Sequence, residues 1–369
     1  MKSKHKKVAV AMSGGVDSSV AAALLQEGDY DVIGLWMQLL GEGPFERDPS
    51  FHDVLCSAKT LGISLYAIDL HSLFQKEIIN YFFREYLAGR TPNPCALCNP
   101  KIKLGALLER ALGLGAELFA TGHYARVKWD PNTRRFIILR GIDRKKDQSY
   151  FLWGLSQVQL ARCILPNGGL TKEAVRTMAK KRGLPLTERG ESHEICFIPH
   201  GDYRDFLRKR LKGKLPSRGE IVDKDGRPLG RHQGIFNFTI GQRRGIGIPS
   251  RRPYYVLRID PATNQVVVGE KEDLLAKGLV AQGMNWISIP PPQEGFRAMG
   301  NIRYRHPGGL CRVTPHGEDE CIVNFDEPQE AITPGQALAL YQDDMLLGGG
   351  WIREVCNEQG KGRHRDPGL

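Results

Sequence analysis

Cysteine is scarce in this sequence, with eight in 369 residues. That is too few for a disulfide scaffold, so cysteines set in a motif are read as catalytic or metal-binding residues of a reducing compartment. No run of ~18 apolar residues is present to span a membrane. The basic start, residues 1–7, leads into a short apolar run that stops at Ser13-Gly14-Gly15, which is not a secretory leader. A cytoplasmic protein with no membrane partner is therefore expected. There is no internal repeat, and the Walker loop, GxxxxGK followed by Ser or Thr, is missing. Acidic residues are the minority charge, 41 against 52 Lys and Arg, giving a formal net charge of +11. The excess favours a polyanionic partner through counterion release, a signal that gains weight only beside motifs. With 41% hydrophobic and 25% charged residues the chain can bury an ordinary core, and its length suggests two or three domains.

The first half alternates strand and helix patterns. Apolar runs at 7–12, 31–37, 64–69 and 118–121 read as buried strands, and 18–26, 54–61, 73–87 and 104–112 read as helices. Such alternation predicts an α/β domain, a doubly wound parallel sheet covered on both faces. Near residue 205 the character changes. After a basic helical stretch at 203–211 come short strand candidates at 219–222, 254–259, 265–269, 298–304, 311–314, 321–325 and 337–341, separated by turn residues. They predict two small β-rich domains. The expected division is 1–205 for a nucleotide-binding catalytic domain, 206–272 for a central β domain, 273–356 for a C-terminal β-barrel and 357–369 for a flexible tail. Pro290-Pro291-Pro292 reads as a stiff loop without a role.

Two clusters carry chemistry. The first strand is followed by Ser13-Gly14-Gly15-Val16-Asp17-Ser18-Ser19 and then a helix. Glycines let the backbone N–H groups approach a ligand, and the helix turns its positive end to the loop, which suits phosphate. The serine hydroxyls add donors. Asp17 suits a phosphate site if it holds Mg2+ bridging the phosphate oxygens. The second cluster is Thr91-Pro92-Asn93-Pro94-Cys95-Ala96-Leu97-Cys98-Asn99, where two prolines stiffen the approach to a CxxC, with Cys196 far along the chain. Arg90, Lys101 and Lys103 flank the pair and are expected to favour the thiolate. The competing reading is half of a zinc site, completed by His123 or His193, since no second CxxC exists. Cys56, Cys163, Cys311, Cys321 and Cys356 read as core residues.

SGGxDS resembles the pyrophosphate loop of the ATP-pyrophosphatase family, which splits ATP between its α and β phosphates and adenylates an oxygen. With TPNPCALCN, ATGHYA, KDQSYFL, EICFI, GQRRGIGI, RYR and TPGQ following in one order, the chain resembles bacterial tRNA-specific 2-thiouridylases over roughly residues 7 to 355. The resemblance implies an adenine nucleotide alpha hydrolase-like fold in the first domain. It implies ATP and Mg2+, with ATP bound by Ala11, Met12, Ser13, Gly14, Gly15, Val16, Asp17 and Ser18 and by the backbone of Met37 and Gly122. It places Asn93, Pro94 and Cys95 against the target base, with Cys98 as nucleophile and Cys196 as persulfide carrier, a transient disulfide joining the two. It assigns His123, Lys146, Asp147, Gln148, Arg303, Tyr304 and Gln336 to tRNA, expected to be the Lys, Glu and Gln acceptors, with a cysteine desulfurase or sulfur-carrier protein as donor.

The chemistry explains these parts. A uracil C2 oxygen leaves poorly until AMP is attached to it, and sulfur held as a persulfide is delivered locally. Some members carry Asp where this chain has Cys95. A trio of Cys95, Cys98 and Cys196 could then ligate a 4Fe-4S cluster whose open iron binds hydrosulfide, so persulfide relay and cluster chemistry both stand at this point. A small-molecule ligase of the same ATP family would need neither the paired cysteines nor the basic β-rich half. A non-catalytic RNA-binding protein would not need an intact loop.

Overall fold

The computed structural model describes residues 5–41, 43–185, 195–198, 202–210 and 218–356. β1 (Lys7–Ala11) is a run of small and branched residues buried on both sides. Val8 and Val10 join one apolar cluster and Ala9 the opposite one. It therefore sits inside a parallel sheet with β2 (Asp31–Gln38), β3 (Ser64–Asp69), β4 (Leu118–Ala120) and the two-residue β7 (Cys163–Ile164), in the order β3-β2-β1-β4-β7. α1 (Val16–Glu27) and α2 (Pro49–Leu61) follow β1 and β2. Asp48 caps α2 by accepting from Ser50 N at 2.7 Å, and Gly62 ends it in the left-handed region at φ 65°. The chain order reverses between β1 and β4, and it is at the carboxyl ends of such a switch point that doubly wound sheets bind ligands.

After β3 the chain forms α3 (His71–Phe74), a π-helical turn at Gln75–Ile79 and α4 (Asn80–Leu87). The CxxC lies in α5 (Pro94–Cys98), which runs into a second π-helical stretch, Asn99–Ala106, and α6 (Leu107–Gly113). The strand and helix patterns expected over 64–69, 73–87 and 104–112 are thus present. A hairpin that the sequence reading passed over follows, β5 (Ala125–Asp130) and β6 (Arg135–Arg140), then α7 (Gln157–Leu160) and α8 (Lys172–Lys181), also passed over.

α9 (Tyr203–Arg210) packs on α4: Phe206 stacks on Phe83 at 5.6 Å and Tyr203 on Tyr86 at 4.6 Å. Each such pair adds about 0.5–1.5 kcal/mol beyond area burial. This ties the basic helix to the α/β layer, although the expected boundary at 205/206 cuts through it. Its expected last residue, 211, and the tail 357–369 lie outside the described residues.

β8 (Gly219–Val222), β9 (Pro228–His232), β10 (Tyr255–Asp260) and β11 (Gln265–Gly269) make a four-stranded sheet in the order β10-β11-β8-β9, over a small core of Ile221, Ile235, Val256 and Val266. β12 (Leu275–Trp286), β13 (Phe296–Asn301), β14 (Gly309–His316), β15 (Glu320–Glu330), β16 (Ala337–Gln342) and β17 (Met345–Cys356) follow. They pair in the order β12-β15-β14-β13-β16-β17, and β12 pairs with β17 to close a six-stranded barrel.

The barrel is not a separate body. β17 also pairs with β6, Met345 opposite Leu139 and Leu346 opposite Ile138, so the hairpin of the first domain extends the barrel's sheet. Three consecutive glycines in β17 allow close approach. A Cβ on Gly349 would lie 2.7 Å from Trp153 and 2.5 Å from Leu338 O. Arg140 anchors the seam. Its guanidinium donates to Asp147 and to Asn301 Oδ1, each at 3.1 Å, and lies 3.5 Å over the Tyr341 ring. Among the described residues no helix is long and apolar enough to cross a membrane.

Arg140→Met is therefore expected to leave Asp147 buried without its cation and to cost about 3 kcal/mol, the lower end for a broken buried pair. Urea denaturation followed by tryptophan fluorescence measures it. A loss under ~0.5 kcal/mol, the size of an ordinary surface change, would remove Arg140 as the seam's anchor.

Candidate active site

The loop after β1 lies at this switch point. Gly14 has φ +80°, and a Cβ there would fall 2.8 Å from Asp53 Cβ of α2, so glycine is needed for both conformation and space. α1 starts at Val16 with Gly15 as its N-cap and no side-chain cap, which leaves its first-turn amides to an anion. The serines divide. Ser13 is exposed at the loop, whereas Ser18 and Ser19 are buried and donate to Gly15 O at 3.0 and 3.3 Å. They brace the loop, contrary to the expectation that all three hydroxyls serve a ligand. Met12 is buried behind the loop, its N donating to Leu35 O at 2.8 Å, with Ala11 at the end of β1 and half-buried Met37 near the end of β2.

Gly122, after β4, abuts the loop so closely that a Cβ would lie 2.8 Å from Asp17 C. Asn167 donates to the Asp17 and Gly122 carbonyls at 2.9 and 3.2 Å and locks the two loops together. Asp17 is not a bare carboxylate. It accepts from Lys172 at 2.6 and 2.7 Å and from the Tyr124 hydroxyl at 2.7 Å. The glycine turn and the uncapped helix start suit a phosphate group, and the Asp17 carboxylate is of the type that suits Mg2+, although here it is held by Lys172. Lys172, Tyr124 and Asn167 escaped the sequence reading. The signal for Lys172 was the start of α8, where Thr171 accepts from Ala174 N at 3.1 Å as an N-cap.

The CxxC is positioned by its flanks. Asn93 caps α5 by accepting from Ala96 N at 3.3 Å and donates to the Tyr150 hydroxyl at 3.5 Å; Pro94 occupies the first turn, which needs no N–H. Cys98 is 7% exposed and Cys95 half-buried, while Cys196 is exposed. Phe197 fixes Cys196 beside them. Its ring is 2% exposed and packs edge-on against Phe74 and Phe82 at 5.6 and 5.3 Å and against Phe206 at 5.7 Å.

Cys196 lies close enough to both Cys95 and Cys98 for its charge to raise their pKa, and Lys103 faces all three thiols from the π-helical stretch. A π turn inside a helix often marks a functional site. Burial outweighs the ammonium. It pushes the Cys95 thiol up to about 11 and the Cys98 thiol up to about 12. Cys196 is raised by desolvation against its neighbours, with Lys103 pulling it down. The expected thiolate is therefore not the resting form. Arg90 gives little help, because its guanidinium is paired with Glu85 at 2.6 and 3.0 Å, and Lys101 is exposed. Among the described residues no three His, Cys, Asp or Glu side chains gather to hold a metal ion. Among the described residues the three thiols are not grouped as a metal-binding set, and His193, one of the two histidines expected to complete a zinc site, lies outside those residues.

The residues expected to touch tRNA fall into two groups. Arg303 is exposed, and the Tyr304 ring lies tilted against Phe151 at 4.5 Å and Tyr150 at 6.2 Å, on the rim. Lys146 is half-buried on a different loop, the one between β6 and the turn at Ser149–Leu152. The others are occupied within the protein. Asp147 is 7% exposed and accepts from Gly141 N, Ser149 N, the Ser149 hydroxyl and Arg140. Gln148 accepts from Tyr124 N at 3.0 Å. Gln336 donates to Thr91 O and Pro92 O at 3.0 and 3.1 Å and clamps the loop that carries the CxxC. His123 is 9% exposed and bonded to Thr121 Oγ1 at 2.7 Å; burial and then Lys103 push it down to about 3, so it is a neutral ring facing the site. Of the bland cysteines, Cys163, Cys311, Cys321 and Cys356 are buried, but Cys56 is exposed on α2 rather than in the core.

Comparison with known proteins agrees along the whole length. A family model described as tRNA methyl transferase HUP domain matches residues 6–200, one described as tRNA methyl transferase PRC-barrel domain matches 204–270, and one described as aminomethyltransferase beta-barrel domain matches 276–352. The tRNA-specific 2-thiouridylase MnmA of Geotalea uraniireducens is 45% identical over 365 residues, 96% of this chain and 96% of that relative. The tRNA-specific 2-thiouridylase MnmA of Carboxydothermus hydrogenoformans is 47% identical over 359 residues, 95% of this chain and 98% of that relative. The solved structure of the U34-tRNA thiolase NcsA from Methanococcus maripaludis with its 4Fe-4S cluster is 19% identical and covers 57% of this chain and 67% of that one. Its TM-score of 0.33 carries no inference about the site.

The buried thiols give a measurable consequence. With Cys98 at about 12, its alkylation by iodoacetamide in the free enzyme should climb steadily from pH 7 to pH 10 without levelling off. Lys103→Met should slow it further, because the cation that favours the thiolate is gone. Peptide mass spectrometry of timed samples reads the rate at each cysteine. A plateau below pH 8 would show a thiolate already formed at rest.

Proposed function

The chain belongs to the family of tRNA-specific 2-thiouridylases, and on that premise we propose how its residues divide the reaction. The enzyme is an ATP-dependent tRNA-uridine 2-sulfurtransferase. It adenylates the C2 oxygen of the wobble uridine and replaces that oxygen with sulfur, releasing AMP and pyrophosphate. The observation that carries the residue assignment is the convergence of Cys95, Cys98 and Cys196 around Lys103, in a fold that also carries the SGGVDS loop at the switch point of its parallel sheet.

In this reading residues 11–18, with the backbone of Met37 and Gly122, bind ATP. Mg2+ supplies charge neutralisation across the phosphate oxygens. The uridine C2 oxygen attacks the α-phosphorus and pyrophosphate leaves. Asn93, Pro94 and Cys95 lie against the base, which must leave the anticodon stack to enter, a step eased in a single-stranded loop. The outer sulfur of a Cys196 persulfide then bonds to C2, and the C2–O bond to AMP breaks. Cys98, once deprotonated, attacks the inner Cys196 sulfur, which frees the thiocarbonyl and leaves a Cys98–Cys196 disulfide. Two equivalents of an external thiol, themselves oxidised to a disulfide, return both cysteines to the free thiol state. Equivalently, Cys98 attacks first and releases hydrosulfide, which adds to C2. No step is assigned to an iron–sulfur cluster.

The acceptors are the tRNAs for Lys, Glu and Gln. The donor is a cysteine desulfurase or a sulfur carrier loaded by one, and the setting is the cytoplasm. The units 1–205, 206–272 and 273–356 serve as catalytic domain, tRNA-binding domain and barrel. In the second, Arg243, Arg244 and Arg252 line an open cavity of about 280 Å³ with Gly245 and Gly247, suited to phosphate. His123 and Gln336 act through the loops they hold. Arg303, Tyr304 and Lys146 meet RNA.

Two experiments test this reading. Nucleoside mass spectrometry of tRNA incubated with ATP, Mg2+ and a persulfide donor should find 2-thiouridine with the wild type. None should appear with Cys196→Ser or Cys98→Ser, although both variants still bind ATP. Cys95→Asp should retain activity. Product formed by Cys196→Ser would sink the relay. Separately, if ~5 basic side chains meet phosphate, log affinity for tRNA should fall by about 0.7–0.9 per contact for each unit of log salt. The triple change Arg243→Ala, Arg244→Ala and Arg252→Ala should then flatten that slope by about 2–3. An unchanged slope would mean these charges are only solvated.

A further inference from the structure

We propose that Lys172 is the cation that receives the pyrophosphate end of ATP, and that in the free enzyme it rests on Asp17. The proposal depends on the ATP-loop reading above. It starts from an ion pair in an unusual place. Lys172 projects from the first position of α8, and its ammonium reaches Asp17 at 2.6 and 2.7 Å, inside the phosphate loop. It is 9% exposed. Its backbone is fixed, since Lys172 N donates to Asp143 Oδ2 at 3.0 Å and α8 packs through Val175 and Ala179 on Val20 and Ala23 of α1. The side chain is aimed at the loop by the packing of two helices.

Stability is a poor reason for such a pair. Stripping water from the Lys172 side chain, which is 11% exposed against 35% for that of Asp17, offsets much of the attraction, and an apolar pair of similar volume would hold the helices as well. A function in the loop accounts for it better. An unpaired carboxylate among the amides that face a phosphate would repel the ligand. Paired with Lys172, the loop presents no net charge. When MgATP docks, the carboxylate passes from the ammonium to the metal, and the ammonium passes to the β- and γ-phosphates. A lysine suits the exchange, with three donors on a flexible stem. As the α–β bond breaks, negative charge grows on the leaving pyrophosphate, where Lys172 then stands. The Tyr124 hydroxyl, 2.7 Å from Asp17, holds the carboxylate in place through the exchange.

Equilibrium binding by calorimetry, on the full chain without tRNA, tests this. Wild type should bind ATP more tightly than AMP, and Mg2+ should strengthen ATP alone. Lys172→Met should weaken MgATP and pyrophosphate by about 10- to 100-fold, the size of one charged hydrogen bond, and leave AMP unchanged. Lys172→Arg should recover part of the loss. Asp17→Asn should reduce the dependence of ATP binding on Mg2+, because Lys172 is already released. The double variant Asp17→Asn with Lys172→Met has no unpaired charge; it should melt near the wild-type temperature and keep the ATP-selective loss. If Lys172→Met binds MgATP within twofold of wild type, or loses AMP equally, the proposal is wrong. The same holds if the double variant regains wild-type ATP affinity. If the wild type itself prefers AMP or shows no preference, the loop reading falls first and the proposal falls with it.

Discussion

The carbonyls of Thr91 and Pro92 need partners that their own segment cannot supply, because prolines at 92 and 94 keep it from closing into a helix or strand. The barrel supplies them. Gln336 donates to both carbonyls, Pro334 O accepts from Thr91 N, and the Tyr150 hydroxyl bridges from Asn93 to Ala337 O. Gly335 fits only because it has no side chain, a Cβ there falling 2.8 Å from Thr91 O. The stiff segment that presents Cys95 and Cys98 is therefore finished by residues more than two hundred positions away. Loss of one such bond in a buried place costs its full desolvation penalty, about 1–3 kcal/mol, and displaces the sulfurs with it.

Burial sets the chemical temper of the site. An enzyme that handles reduced sulfur gains from thiols that stay protonated until needed, since oxidation follows thiolate character and exposure. Cys98 is the most shielded of the three, and Lys103 is the cation that faces the whole group. His123 beside it is held neutral, so it neither competes with Lys103 as a cation nor repels an incoming phosphate's metal. The phosphate loop shows the same restraint, with Asp17 neutralised by Lys172. The phosphate loop thus waits with its charges paired, and the cysteine group waits as neutral thiols beside a single cation.

Much of this was legible in the sequence, and the exceptions have physical reasons. Strands 64–69, 219–222 and 265–269 were read at their observed limits, because apolar period and flanking turn residues agree there. The loop and the cysteines were legible as motifs. The hairpin of β5 and β6 was not, since its alternation is broken by charged residues whose other face is supplied only by pairing with β17. α8 was missed because its sequence is mostly polar and only Val175 and Ala179 reach the core. The strand expected at 298–304 ends at Asn301, so Arg303 and Tyr304 belong to the rim. Asp147, Gln148 and Gln336 sit in strong motifs, but a motif does not reveal whether a polar side chain faces a ligand or the protein's own backbone.

The pairing of β6 with β17 also fixes an order of events at the ribosome. At ~5–20 residues per second, roughly 10–40 s of synthesis separate the emergence of Leu139 from that of its partner Met345. For nearly all of that interval the nascent chain already carries both CxxC thiols and the phosphate loop, but neither Gln336 nor the strand that completes their setting. The setting of the reactive cysteines is therefore among the last features of the fold to form, after nearly the whole chain has been made.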